Sequence, residues 1–364
     1  MHIRFIIGII ASLGLVTLAL EAIGAESSRD SRTSPSSREV TLRLRDGSSV
    51  RVAGKLAALI TEGLSAAGSK QYNRAISSFT AALQTNPDKN VAFGIYCSRA
   101  SAYSDKGEFD KAIADYTTAI QLNPKYVSAY LNRSVCYGNK REYKLASRDA
   151  TMAIQLDPKH ANAYHDRGAY YAETGDFDKA IADFSEAIRF NPNSASTFNN
   201  RAQAYENIEK FDKAMADYDR VIRIAPKDAE DYSARGSAYF RKGNYKEAAS
   251  AFEKALQLFP NSDSALGRFA WFRAVCPDGS LRDGKAAIRM SMRACELSKW
   301  KEPPYIEALA AAHAETGDFE QAVKYQTQAM KMKSEYGPID KKTRERLALY
   351  RDHKPWRSEP LSAR

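Results

Sequence analysis

Reactive chemistry would need nucleophiles, bases or metal ligands at short, regular spacing, and this sequence scatters them. Its four cysteines are Cys97, Cys136, Cys276 and Cys295. None forms a C-x-x-C pair, and no histidine stands at metal-ligand spacing from one. The five histidines are His2, His160, His165, His313 and His353. No Gly-rich phosphate loop, G-x-S-x-G elbow or H-E-x-x-H motif occurs. Carboxylates such as Asp176, Asp178 and Glu186 are spread as solvated faces. The sequence therefore reads as a non-enzyme, with no catalytic residue, no metal and no cofactor. Cys276 and Cys295 leave two readings open. They are small buried apolar residues, or they form a disulfide within one helix pair, which an exported chain permits.

A second kind of chemistry, ion pairing, is spaced regularly. Arg99, Arg133, Arg167, Arg201 and Arg235 recur every 34 residues. Sixteen residues after the first four stand Asp115, Asp149, Asp183 and Asp217, whereas Arg235 meets Ala251. Two uses are open: a charged binding stripe, or partly buried bidentate pairs that fix the register of antiparallel helices. The second is preferred.

The elements that must carry these pairs repeat with the same period. Pro87, Pro124, Pro158, Pro192, Pro226 and Pro260 are separated first by 37 residues and then by 34 each time. One frame reads Tyr164, Arg167-Gly168, Tyr171, Gly175, Phe177, Ala180, Phe184, Ala187 and Pro192. The frame at Tyr96 to Pro124 and that at Tyr232 to Pro260 follow the same pattern. Each frame holds two runs with apolar residues at i, i+3/i+4 and i+7, hence two amphipathic helices. In the frame above these are Ala161 to Glu173 and Phe177 to Phe190, with Thr174-Gly175-Asp176 as the turn. Ala180 and Ala187 allow close approach, and Tyr164, Tyr171 and Phe184 are expected to fill the gaps. A single pair cannot bury both faces, so the pairs must stack.

Period and pattern together resemble the tetratricopeptide repeat (TPR) family. The resemblance spans residues 56–262 as six units and implies an all-α, helix-turn-helix solenoid wound as a right-handed superhelix. The Arg ladder departs from the family, in which Leu is common at that position. Residues 263–332 are helical but off the rhythm. With Cys276-Pro277-Asp278, Arg282-Asp283-Gly284 and Ala314-Glu315-Thr316-Gly317-Asp318-Phe319 they resemble the degenerate TPR-like extension of bacterial TPR proteins. Residues 333–364 read as a polar-faced capping helix, Lys341 to Arg351, and a basic tail.

The N-terminus reads differently. Residues 1–25 have a basic start, a 16-residue apolar run from Phe5 to Leu20 and small residues to Ala25, the order of a signal peptide. It is cleaved near Ala25 or kept as an anchor. Both place the protein outside the cytoplasm, periplasmic or secreted. Residues 26–38 are a Ser-rich flexible linker. Residues 39–55 alternate apolar and polar residues around Asp46-Gly47, a β-hairpin signal.

The net charge is +10 over 364 residues. The ends supply most of it, +3 from residues 1–55 and +5 from residues 331–364. The body is close to neutral, which argues against a nucleic-acid partner. Membrane contact is confined to an uncleaved signal or weak attraction of the basic tail.

What remains is recognition. The resemblance implies a concave face lined by the first helix of each unit. The candidate lining residues are Leu131, Asn132, Val135, Asn162, His165, Asn199, Asn200 and Gln203. Side-chain amides can bond both N–H and C=O of an extended peptide. A carboxylate clamp for chaperone tails is matched only at Asn132, because Asn162 and Asp166 stand where basic residues are needed. The function expected is a non-enzymatic, exported scaffold that binds a protein or peptide partner on its concave face. The alternative is an envelope-assembly or secretion accessory factor working as a subunit of a stable complex.

Overall fold

The computed structural model describes residues 20–23, 39–44, 49–226, 228–335 and 337–358. Most of the leader, the whole linker (residues 26–38) and the last six residues lie outside them. The described residues form two units, one ending at Pro192 and one starting at Asn193.

The first unit opens with strands β1 (Leu20–Ile23), β2 (Glu39–Leu44) and β3 (Ser49–Ala53). The expected hairpin is β2–β3, antiparallel, with Val40 opposite Val52 and Leu42 opposite Val50. A third strand was not expected. β1 comes from the stretch read as a leader and pairs antiparallel with β2. Val52 is buried and packs with Ala57, Ile60 and Ile95, which anchors the hairpin to the helices.

Four antiparallel helix pairs follow: α1 (Gly54–Gly68) and α2 (Tyr72–Leu83), α3 (Lys89–Asp105) and α4 (Phe109–Leu122), α5 (Val127–Asn139) and α6 (Tyr143–Leu156), α7 (Ala161–Glu173) and α8 (Phe177–Phe190). Both helices read in the Pro192 frame have the bounds expected. Ala180, Phe184 and Ala187 are buried. Gly168 lets α7 approach α8, since a Cβ there would lie 2.9 Å from the Phe184 ring. One packing expectation is corrected. Tyr170 is the buried tyrosine of α7, at 2% exposure, while Tyr164 and Tyr171 are half-buried.

The turn inside each pair needs a residue in the left-handed region. Gly107 and Gly175 take it at φ of 81° and 82°. In the next frames Arg141 and Glu209 adopt it at 60° and 59°, a conformation that costs an L-residue about 1–2 kcal/mol.

The second unit contains α9 (Ala195–Asn207), α10 (Phe211–Ile224), α11 (Ala229–Lys242) and α12 (Tyr245–Leu258). Then come α13 (Asp263–Val275), α14 (Gly284–Leu297), α15 (Pro303–Glu315), α16 (Phe319–Ser334) and α17 (Lys341–Arg351). The Cys276 to Asp283 loop contains a short 3-10 turn, Gly279–Leu281. Arg282 ties it to the core by donating to Glu315 at 2.9 Å and to the Cys276 carbonyl at 2.8 Å. All four cysteines are free and buried. Cys276 packs with Phe252, Phe269 and Phe272, and Cys295 with Ile306 and Ala329. The disulfide reading is therefore set aside, because the two thiols belong to different apolar clusters.

Candidate peptide-binding surface

The Arg ladder resolves into structure. Arg167 donates through Nε and Nη2 to both oxygens of Asp183, at 2.7 and 2.8 Å. Arg99 with Asp115, Arg133 with Asp149 and Arg201 with Asp217 repeat this bidentate geometry. The sequence pattern missed a third partner on the preceding helix pair. Arg133 Nη1 donates to Thr117 and Arg167 Nη1 to Thr151, each sixteen residues back. The signal was present in the 34-residue phase of Thr117, Thr151, Ser185 and Asp219. Each guanidinium also lies between two rings. Arg167 is 5.8 Å from Tyr164 and 5.9 Å from Tyr171. Arg201 stands likewise between Phe198 and Tyr205. Saturated by carboxylate, hydroxyl and rings, these cations knit helix to helix and are not offered to a ligand.

The lining candidates divide between the two units. In the first, Leu131 is corrected. It is 8% exposed and packs with Tyr130, Ala153 and Ala163, so it is core and not lining. Asn132 and Val135 are half-buried on α5, and Asn162 is exposed on α7. His165 rests against Phe184, ring centroids 5.8 Å apart. Burial pushes its imidazole down to about 4, so it is neutral at pH 7. Beside it, Asp166 is half-buried. Desolvation pushes its carboxyl up to about 7.

In the second unit the amides converge. Gln203 Nε2 donates to Asn199 Oδ1 at 3.0 Å. Asn199 Nδ2 donates to Asp231 Oδ1 on α11 at 3.4 Å. Asn207 Nδ2 donates to the Gln203 carbonyl at 2.8 Å. Asn200 is 8% exposed and is corrected from lining to buried. Asp231 is buried, and its carboxyl is pushed up to about 7 by desolvation and then by Asp228 and Glu230. Gln203 Oε1 is buried without a hydrogen-bond partner among the described residues. An orphaned buried acceptor costs about 1–3 kcal/mol. Neighbouring Glu206 is spoken for, since it accepts from Arg241 at 2.7 Å and from Tyr218 at 2.8 Å. α9 and α11 thus carry an ordered polar row in which Gln203 and Asn199 are half-buried and Asp231 is buried.

Among the described residues no group of three or more His, Cys, Asp or Glu is placed to hold a metal ion. No helix there is long and apolar enough to cross a membrane.

Family models described as tetratricopeptide repeat match residues 94–126, 150–182, 201–284 and 304–336, and one described as TPR repeat matches residues 170–209. Together they span more than half of the chain. A search of curated proteins finds no significant match. Among solved structures, a tetratricopeptide repeat protein from Parabacteroides merdae ATCC 43184 is 18% identical with a TM-score of 0.58, covering 71% of this chain and 98% of its own. MamA protein is 27% identical with a TM-score of 0.45, over 47% of this chain and 93% of its own. YrrB, a TPR protein with an unusual peptide-binding site, is 22% identical with a TM-score of 0.45, over 52% and 95%.

Proposed function

The chain belongs to the tetratricopeptide repeat family, and from that premise we propose that it is an exported, non-enzymatic scaffold that holds an extended peptide of a partner protein on the first-helix face of α9 and α11. A scaffold of stacked helix pairs serves protein–protein interaction, and the finer reading rests on one observation. Asn199 and Gln203 are half-buried on α9, so part of each side chain faces solvent, and hydrogen bonds of 3.0 and 3.4 Å already tie them to each other and to Asp231. A peptide docking there meets amides whose orientation is fixed before it arrives. Because the row is already ordered in the free protein, binding immobilises few additional side chains.

Peptide arrays probed with the full chain test this. Asn199→Ala with Gln203→Ala should lose the bound peptides by about 10- to 100-fold at unchanged helicity, each lost hydrogen bond being worth about 0.5–1.5 kcal/mol. Unchanged binding by the double variant moves the site elsewhere. Export is a separate part of the proposal and is supported by the leader-like order of residues 1–25. Mass spectrometry of the protein recovered from the cell envelope or medium should find a mature chain starting near Glu26, and a soluble cytoplasmic chain beginning at Met1 overturns it.

A further inference from the structure

The last residues described, Lys354 to Ser358, carry neither helix nor strand, yet they lie across the body of the second unit. Trp356 is half-buried and packs with the alanine faces of α13 and α15 and with Tyr350 of α17. Ser358 N–H donates to the Val275 carbonyl, the last residue of α13, at 3.1 Å. Arg357 Nη2 lies 2.5 Å from Glu315 Oε2 at the end of α15. These are the three holds that a peptide site uses: a pocket for one aromatic side chain, a main-chain hydrogen bond and a charge partner for the next residue.

The seat is built from α13, α15 and α17 rather than from the tail. Arg346 is 7% exposed, and its guanidinium lies 5.3 Å from the Trp271 ring and 5.9 Å from the Trp356 ring. Glu307 holds it in place, accepting from Arg346 at 2.9 Å and from Lys333 at 2.7 Å. Arg346 therefore serves as a charged wall against which an indole stacks. The tail does not satisfy everything it covers. Arg346 Nε and the Tyr350 hydroxyl are buried without a hydrogen-bond partner among the described residues.

We infer that the cleft between α13, α15 and α17 is a peptide site for an extended segment in which a tryptophan precedes an arginine, and that residues 354–358 of this chain fill it as an internal ligand. The site is separate from the α9–α11 surface. The tail is tethered within a few residues of α17, so it competes at an effective concentration of about a millimolar. Any peptide arriving from outside meets a site already closed.

The test uses the full chain and a fluorescein-labelled peptide with the sequence of residues 352–358, followed by anisotropy. The variant Trp356→Ala, Arg357→Ala empties the seat. It should bind the peptide saturably and one to one, at least tenfold more tightly than the unaltered chain. Adding Glu315→Gln to that variant should weaken binding about tenfold. Circular dichroism of both variants at 25 °C should match the unaltered chain. Equal binding to all chains, or none, overturns the inference. So does loss of helicity in the emptied variant, which makes the tail part of the fold and not a ligand. Asn199, Gln203 and Asp231 are intact throughout, so either result leaves the proposed function to its own test.

Discussion

Arg235 Nη1 donates to Asp219 Oδ1 at 2.7 Å, sixteen residues before it, whereas Arg167 is held by Asp183, sixteen residues after. The direction of pairing reverses because Ala251 removes the usual acceptor and Asp219 replaces the hydroxyl that stands on the other side at Thr117 and Thr151. The carboxylate has moved across the guanidinium to the preceding helix pair. One consequence is visible: Arg235 Nε is buried without a hydrogen-bond partner among the described residues.

Restoring the missing acceptor should therefore stabilise. Ala251→Asp places a carboxylate where the other frames carry one and satisfies the orphaned Nε. The gain expected is about 1 kcal/mol, after desolvation is set against a charged hydrogen bond. The melting temperature should rise by about 2–4 °C. In the background of Arg235→Ala the same change buries a carboxylate with no counter-ion, and a loss of about 3–5 kcal/mol should replace the gain. Stabilisation in both backgrounds means that Arg235 does not reach residue 251.

The Arg167–Asp183 pair gives a second test. Side-chain exposure is 18% for Arg167 and 9% for Asp183, so neither ion can return to water without disturbing the pair. Arg167→Leu alone should cost about 3–5 kcal/mol, largely the cost of a stranded Asp183. Arg167→Leu with Asp183→Leu should recover most of that, because an apolar pair of similar volume replaces a buried ion pair at little cost. Urea unfolding of the four members of the cycle measures the coupling. Additive losses would show that the ions are independently solvated.

Asp231 predicts a pH dependence. Its carboxyl is raised in the folded state from the ordinary 3.8 to about 7. The folded protein thus holds this proton more tightly than the unfolded chain does. The stabilisation is fully present below about pH 4 and is lost as pH rises through 7. Asp231→Asn keeps an uncharged group beside Asn199 and removes the penalty. It should be more stable than the unaltered protein at pH 8 and no more stable at pH 4. Each pKa unit corresponds to 1.36 kcal/mol, so the ceiling at pH 8 is about 4 kcal/mol. An equal effect of the substitution at both pH values rules out Asp231 as the titrating group.

The repeat architecture was legible because it is written in local terms. Helix length, turn position and the small-large alternation of Gly168, Ala180 and Phe184 all follow from periodicities of 3.6 and 34 residues, and the sixteen-residue Arg–Asp spacing follows from two antiparallel helices. Burial on a given helix face was harder to read. Tyr170 and Tyr171 are adjacent and alike, and which one enters the core depends on a rotation of about 100° between neighbours on a helix. The phase of the repeat puts Leu131 and Asn200 on a lining, yet both are buried at 8% exposure.

The sequence by itself determined the helix pairs and their charged register, because these need only contacts between residues at fixed separation. The tertiary structure alone decided the rest. It showed that Asn199 meets Asp231 across two helices, and where Trp356 comes to rest. Those outcomes depend on how surfaces distant in the chain exclude water from one another, and no spacing encodes that.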